Sequence, residues 1–137
     1  VIDEFGIPDV ALDDGSHHMD DIIATFEYLY PRMSRNSVYV VEDLHTGFLE
    51  EYGGGPDSSR NFFRYAHEGV MQMNRHWARL PAERNPLFDD TRAISFYDSL
   101  VCFEKGSPRT LVADQVGRTK ARRIGSRNAT RTHTVVR

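Results

Sequence analysis

The chain has 137 residues, 39% of them hydrophobic and 27% charged, with a formal net charge of −3, a composition that predicts one globular domain and excludes a disordered or fibrous chain. No run approaches the roughly 18 apolar residues of a membrane span. The opening "VIDEFGIPDV" lacks the basic-then-apolar pattern of a secretory signal and the single cysteine, Cys102, excludes an internal disulfide, so a cytoplasmic protein with no membrane partner is expected.

The charge is unevenly placed. Residues 1–113 hold 19 acidic against 10 basic side chains, a balance of −9, whereas residues 114–137 hold 1 against 7, a balance of +6. In chain order, "PDVALDD" is a short apolar run bounded by proline and aspartates, which predicts a strand buried on both faces. It ends in "DDGSHH", so the most strongly hydrated side chains sit at the strand tip. From His18 to about Tyr30, the residues Met19, Ile22, Ile23, Phe26, Leu29 and Tyr30 recur at three- and four-residue spacing, predicting a helix with one stripe toward the core. Pro31 sets the end of that helix at Tyr30 or one turn later. Val38 to Val41 predict a second strand, again tipped with acids at Glu42-Asp43.

Strand, helix and strand in this order predict a right-handed parallel crossover, with both acidic tips at the same C-terminal edge of the sheet. The following "TGFLEEYGGGPDSSR" predicts a long mobile loop. A helix is expected from Asn61 to about Leu80, then a connection through "LPAERNPLFDD". "RAISFYDSLVCFEKG" predicts an antiparallel hairpin that turns at Asp98-Ser99, with Cys102 as a small buried hydrophobe. Residues 114–137 carry no apolar period and few large hydrophobes, and disorder is expected there. The domain division is therefore residues 1–113 and a basic tail, 114–137.

Taken together, "DVALDDGSHH", "VYVVEDLHT", "YGGG" and "FYDSLVCFEKG" resemble class I S-adenosylmethionine-dependent methyltransferases, and among them the metal-dependent O-methyltransferases that act on macrolide sugars. The resemblance covers about residues 1–106. It implies an α/β fold, the C-terminal half of a Rossmann-like sheet whose full order is 3-2-1-4-5-7-6, with this chain supplying strands four to seven and the last pair as an antiparallel hairpin. It further implies S-adenosylmethionine and Mg2+ as cofactors and a small-molecule hydroxyl acceptor. No G-x-G-x-x-G stretch occurs and Val1 stands first in place of methionine, so a fragment is expected, with the cofactor-binding residues unknown.

By the same resemblance, Asp14, Glu42 and Asp43 would hold the divalent cation, with His17 as general base and His45 and Tyr52 near the substrate. Physical chemistry agrees: carboxylates converging on one edge repel one another, and a hard dication keeps them ionised. An unperturbed histidine, with a pKa of about 6.5, is mostly neutral at pH 7 and able to accept a hydroxyl proton. Adjacent Glu42 and Asp43 would point to opposite faces of a regular strand, so the strand must bend there for both to reach one ion.

Plainer readings stand beside these. Asp13 or Asp14 could serve only as an N-cap for the following helix, and His18 and His45 could be surface residues, His45 otherwise a second base or substrate contact. Tyr52 with Gly53–Gly55 could form a lid or an ordinary loop. His67, His76 and Trp77 read as surface or packing residues, and Phe62, Phe63 and Tyr65 as core. The basic tail would attract phosphate, yet no aromatic residue is interleaved to stack bases, which argues against a nucleic-acid partner. The alternative function is a non-catalytic remnant that binds metal or a partner chain but not the cofactor. A metal-dependent hydrolase ranks third, having neither a second metal site nor a phosphate loop. The first strand, lacking its neighbour, would leave an open edge that favours a homo-oligomer.

Overall fold

The structure, a computed structural model, describes residues 2–77, 83–107, 112–116 and 121–125. A short helix α1 (Ile2–Phe5) precedes β1 (Val10–Asp13), α2 (Met19–Leu29), β2 (Val38–Val41), α3 (Phe62–Asn74), β3 (Thr91–Tyr97) and β4 (Leu100–Lys105). These strands form one sheet in the order β1-β2-β4-β3. β1 and β2 are parallel, with Asp13 opposite Val41, while β4 runs antiparallel to β2 and pairs with β3 as a hairpin. The last strand thus inserts between its hairpin partner and the parallel pair, the arrangement expected for the C-terminal half of the sheet.

The helical stripe behaves as its spacing requires. Met19, Ile22 and Phe26 of α2 are buried, together with Tyr30 just beyond it, and they meet Tyr39, Val41, Val101 and Phe103 of the sheet. Phe26 is the centre of this core: its ring lies 4.6 Å from Tyr30 and 4.5 Å from Phe103, and meets Tyr39 edge-on at 5.2 Å. Buried aromatic area of this kind dominates the stability of a small α/β layer. Pro31 does not stop the helix outright, because a 3-10 turn over Tyr30–Arg32 carries it on to Met33.

That helix end has a buried partner that the sequence pattern does not announce. Lys105, 5% exposed, places its Nζ 3.0, 3.3 and 3.1 Å from the carbonyl oxygens of Tyr30, Pro31 and Met33. A cation donating to the last carbonyls satisfies acceptors that have no intrahelical partner and offsets the negative end of the helix dipole. Burial holds its pKa below the ordinary lysine value, with Asp90 acting in the opposite direction.

Two expectations change. β1 is not buried on both faces, since Val10 and Leu12 are 68% and 60% exposed; α2 and α3 cover one face of the sheet, and β1 lies at its edge. Cys102 is in the expected strand but only half-buried, and burial followed by the Glu104 charge holds its thiol above its ordinary pKa. The second predicted helix starts as expected, with Asn61 as N-cap accepting from Phe63 N–H at 2.9 Å. It then tightens into a 3-10 turn at Arg75–Trp77, and the remaining predicted residues lie outside those described.

Where disorder is expected, β5 (Val112–Val116), which crosses the expected boundary at residue 113, and β6 (Ala121–Gly125) pair as a separate antiparallel ribbon. A two-stranded ribbon satisfies its own backbone ladder without an apolar face, so a missing hydrophobic period does not exclude it. The other residues of 114–137 lie outside those described. Among the described residues no helix is long and apolar enough to cross a membrane.

Candidate functional site

Because β1 and β2 are parallel and end in register, the chain that leaves each of them emerges at one sheet edge. Glu42 still belongs to that ladder, its N–H donating to the Asp13 carbonyl at 3.0 Å. The next residue breaks away: Asp43 has φ +53°, and a 3-10 turn over Leu44–Phe48 begins directly after it. On the other tip, His17 has φ +60°. Left-handed backbone is uncommon outside glycine, though Asp, Asn and His tolerate it best. Both unusual residues lie at the strand tips where the acids and histidines collect.

These two turns gather Asp14, His17 and Asp43 into a group whose ligand-type atoms all lie within 4.8 Å of one another. His17 Nε2 is 4.0 Å from Asp14 Oδ1. Asp14 and Asp43 are exposed and His17 is half-buried, so hydrated carboxylates and an imidazole face a common, open space. Glu42 lies outside this group. It is half-buried, and among the described residues its carboxylate has neither a hydrogen bond nor an ion pair. The bend anticipated after β2 therefore occurs one residue later than needed to carry both acids, and it swings Asp43 alone toward the β1 tip.

Asp13 has a different duty from either the site or a helix cap: its carboxylate accepts the Tyr39 hydroxyl at 2.6 Å. Burial first, then that hydrogen bond, holds the Tyr39 hydroxyl well above its ordinary pKa, so it remains a donor. Nor does Asp14 cap α2. The residue at the cap position is His18, and Ser16 Oγ accepts its N–H at 3.3 Å while donating to Asp21 at 2.6 Å. Gly15 fits the turn because a Cβ there would stand 3.1 Å from Asp13 Oδ1.

The remaining site residues divide in two. The His18 ring packs on Tyr52, 5.3 Å between centroids, and Tyr52 closes a 3-10 turn at Glu50–Tyr52. The glycines after it serve close packing: a Cβ on Gly54 would lie 2.3 Å from the Gly47 carbonyl oxygen, and Gly55 N–H donates to that oxygen at 2.8 Å. The stretch expected as a long loop is thus wound into short turns held face to face. His45, 3.9 Å from Asp43, points the other way, toward the hairpin tip. Its N–H donates to Ser99 Oγ at 3.0 Å and its Nδ1 lies 2.9 Å from the same oxygen. Ser99 is the third non-glycine residue with positive φ, +57°. With Phe48, Phe63, Tyr97 and Asp98, these two residues line a cleft of about 380 Å3. Phe63, expected in the core, is half-buried on its wall.

Two residues of the site escape a reading by residue type. Thr46 is 4% exposed, and its hydroxyl lies 3.1 Å from the His17 carbonyl and 2.9 Å from the Asp43 carbonyl. Ser99 joins the β3–β4 turn to the β2 tip, its carbonyl accepting Leu44 N–H at 3.0 Å. Thr46 was visible as the last letter of "EDLHT", but neither residue carries a charge or a metal-type ligand that would single it out.

No protein-family model matches the chain. It is 29% identical over 111 residues to the 8-demethyl-8-alpha-L-rhamnosyl tetracenomycin-C 2'-O-methyltransferase of Streptomyces olivaceus, covering 75% of this chain and 28% of that protein. It is 28% identical over 108 residues to the demethylmacrocin O-methyltransferase of Streptomyces fradiae, covering 74% and 27%. The chain therefore spans little more than a quarter of the length of these curated relatives. Among solved structures, it aligns with the MycE methyltransferase from the mycinamycin biosynthetic pathway in complex with Mg and SAH, at a TM-score of 0.67 and 23% identity, over 73% of this chain and 27% of that one. A complex of the same enzyme that also holds mycinamycin VI aligns at 0.66. The chain carries part of a methyltransferase fold and is related in sequence to O-methyltransferases.

Proposed function

We propose that the chain is the C-terminal part, strands four to seven, of an S-adenosylmethionine- and Mg2+-dependent O-methyltransferase acting on a hydroxyl of a sugar or other small natural product. The observation that carries this reading is the meeting of Asp14, His17 and Asp43 within 4.8 Å at the C-terminal edge of a parallel strand pair. The related O-methyltransferases and the Mg- and SAH-bound fold neighbours give that group its chemical sense.

The donor set suits a small hard cation. Oxygen ligands from one or two carboxylates, with the remaining positions open, are what Mg2+ accepts. Asp14 and Asp43 would hold it, and Glu42, expected as a third ligand, would have to leave its place in the strand ladder to join them. When bound, the ion supplies a Lewis acid that favours the ionised form of the acceptor hydroxyl. The chain's own contribution is the base. His17 would take the hydroxyl proton on a ring nitrogen as the oxygen bonds to the methyl carbon, while the carbon–sulfur bond breaks and its electron pair returns to sulfur, turning the sulfonium into a thioether. His45 borders the cleft beside Asp43 and Tyr52 abuts His18, and in this reading both would contact the acceptor.

Titrating the chain with MgCl2 in a calorimeter tests the reading: one ion should bind per chain and EDTA should reverse it, whereas no binding up to about 10 mM, a range in which weak oxygen sites fill, would overturn it. A second reading is a remnant that binds the metal or a partner chain without the cofactor. Tight binding of S-adenosylmethionine by the chain alone would exclude that second reading.

Among the described residues β1 has no strand on its outer side, and that edge, with Val10 and Leu12 exposed beside it, supports self-association of the chain. Sedimentation should find dimers or larger species, and Leu12→Lys should shift them toward monomer. A wild-type chain that remains monomeric at about 100 μM would contradict this, since edge pairing that is weaker than that concentration has little consequence.

A further inference from the structure

Side chains of the candidate site come from two separate loops, residues 14–18 after β1 and residues 43–48 after β2, and something must fix the distance between them. Among the described residues, one hydrogen bond joins the two: the Thr46 hydroxyl to the His17 carbonyl at 3.1 Å. The same oxygen lies 2.9 Å from the Asp43 carbonyl, which also accepts the Thr46 backbone N–H at 3.2 Å. The two carbonyls belong to His17 and Asp43, both left-handed, at φ +60° and +53°. The hydroxyl of Thr46, a residue only 4% exposed, thus sits between the two backbone units that aim the His17 and Asp43 side chains.

We infer that Thr46 is a positioning residue, whose hydroxyl holds the His17 and Asp43 turns at the spacing the cation site needs. This rests on the cation-binding reading above. A hydroxyl has one hydrogen to donate, so it serves one carbonyl at a time, and the Asp43 carbonyl keeps the Thr46 N–H in either case. The His17 carbonyl has no other partner among the described residues, and the β1-side loop is therefore the one that would relax when the hydroxyl is removed. Groups that orient metal ligands without touching the ion are typically worth a 10- to 100-fold change in affinity.

The test separates the hydroxyl from the methyl group. Thr46→Val keeps the shape and removes the hydroxyl, whereas Thr46→Ser keeps the hydroxyl and removes the methyl. Mg2+ affinity of the 137-residue chain is measured by calorimetry alongside thermal melting. We expect Thr46→Val to bind Mg2+ about 10- to 100-fold more weakly and Thr46→Ser to stay within about threefold of wild type, whatever the order of their melting temperatures. Equal affinities in Val and wild type, or a Ser variant weakened as much as Val, would overturn the inference. Should Thr46→Val fail to fold, Thr46→Ser against Thr46→Ala makes the same comparison, since that pair also differs by the hydroxyl. If wild type itself binds no Mg2+, it is the cation reading that fails.

Discussion

Asp43→Asn is expected to lower the Mg2+ affinity of the chain about a hundredfold, taking the lost carboxylate charge as worth about 3 kcal/mol of ion binding. Methyl transfer by an enzyme containing this segment should fall in parallel when Mg2+ is limiting. Asparagine is the informative replacement because it tolerates left-handed backbone as well as aspartate does, so the turn at φ +53° need not move. The side chain is exposed, and a substitution of this kind away from the core should change folding stability by no more than about 0.5 kcal/mol. Calorimetry for the ion and denaturant unfolding for the fold are the two measurements. Unchanged affinity in a folded variant would remove Asp43 from the site.

His17→Asn should separate the base from the ligands. Loss of a positioned general base typically costs about 10^2- to 10^4-fold in rate, and a fall of that size is expected in kcat for methyl transfer. Asparagine again suits the left-handed turn, here at φ +60°, and it offers an amide that cannot take up a proton near neutral pH. The accompanying result decides the role. Because His17 shares the 4.8 Å group with both carboxylates, it has the reach of a ligand as well as a base. Retained Mg2+ affinity with a collapsed rate identifies the base; affinity and rate falling together identify a ligand, and a wild-type rate dismisses His17 from both roles.

Much of the scaffold for these experiments is readable from the chain. The apolar runs at Val10–Leu12 and Val38–Val41, the spacing of Met19, Ile22 and Phe26, and the turn at Asp98-Ser99 are patterns within contiguous residues, and each became the element it implied. What misled the reading was surroundings. "VALD" has the composition of a strand covered on both sides, yet Val10 and Leu12 face outward, because composition records what a residue would favour and not which neighbours are present. Three consecutive glycines read as freedom, but Gly54 is needed where a Cβ would strike the Gly47 carbonyl oxygen. Close approach and mobility call for the same residue.

By itself, then, the amino-acid order determined that two acid-tipped strands end side by side and that histidines follow the first. Local periodicity and the hand of the parallel crossover require no more than neighbouring residues to specify them. The tertiary structure alone decided which side chains meet. Left-handed turns at His17 and Asp43 bring Asp43 to Asp14 and leave Glu42 in the strand ladder, and those turns are tied together by Thr46 across 29 residues of sequence. Asp13 is likewise withdrawn from the site by Tyr39, 26 residues away. The sign of φ at a non-glycine residue turns on a small energy difference, about 1–2 kcal/mol, and contacts from distant parts of the chain are what settle it.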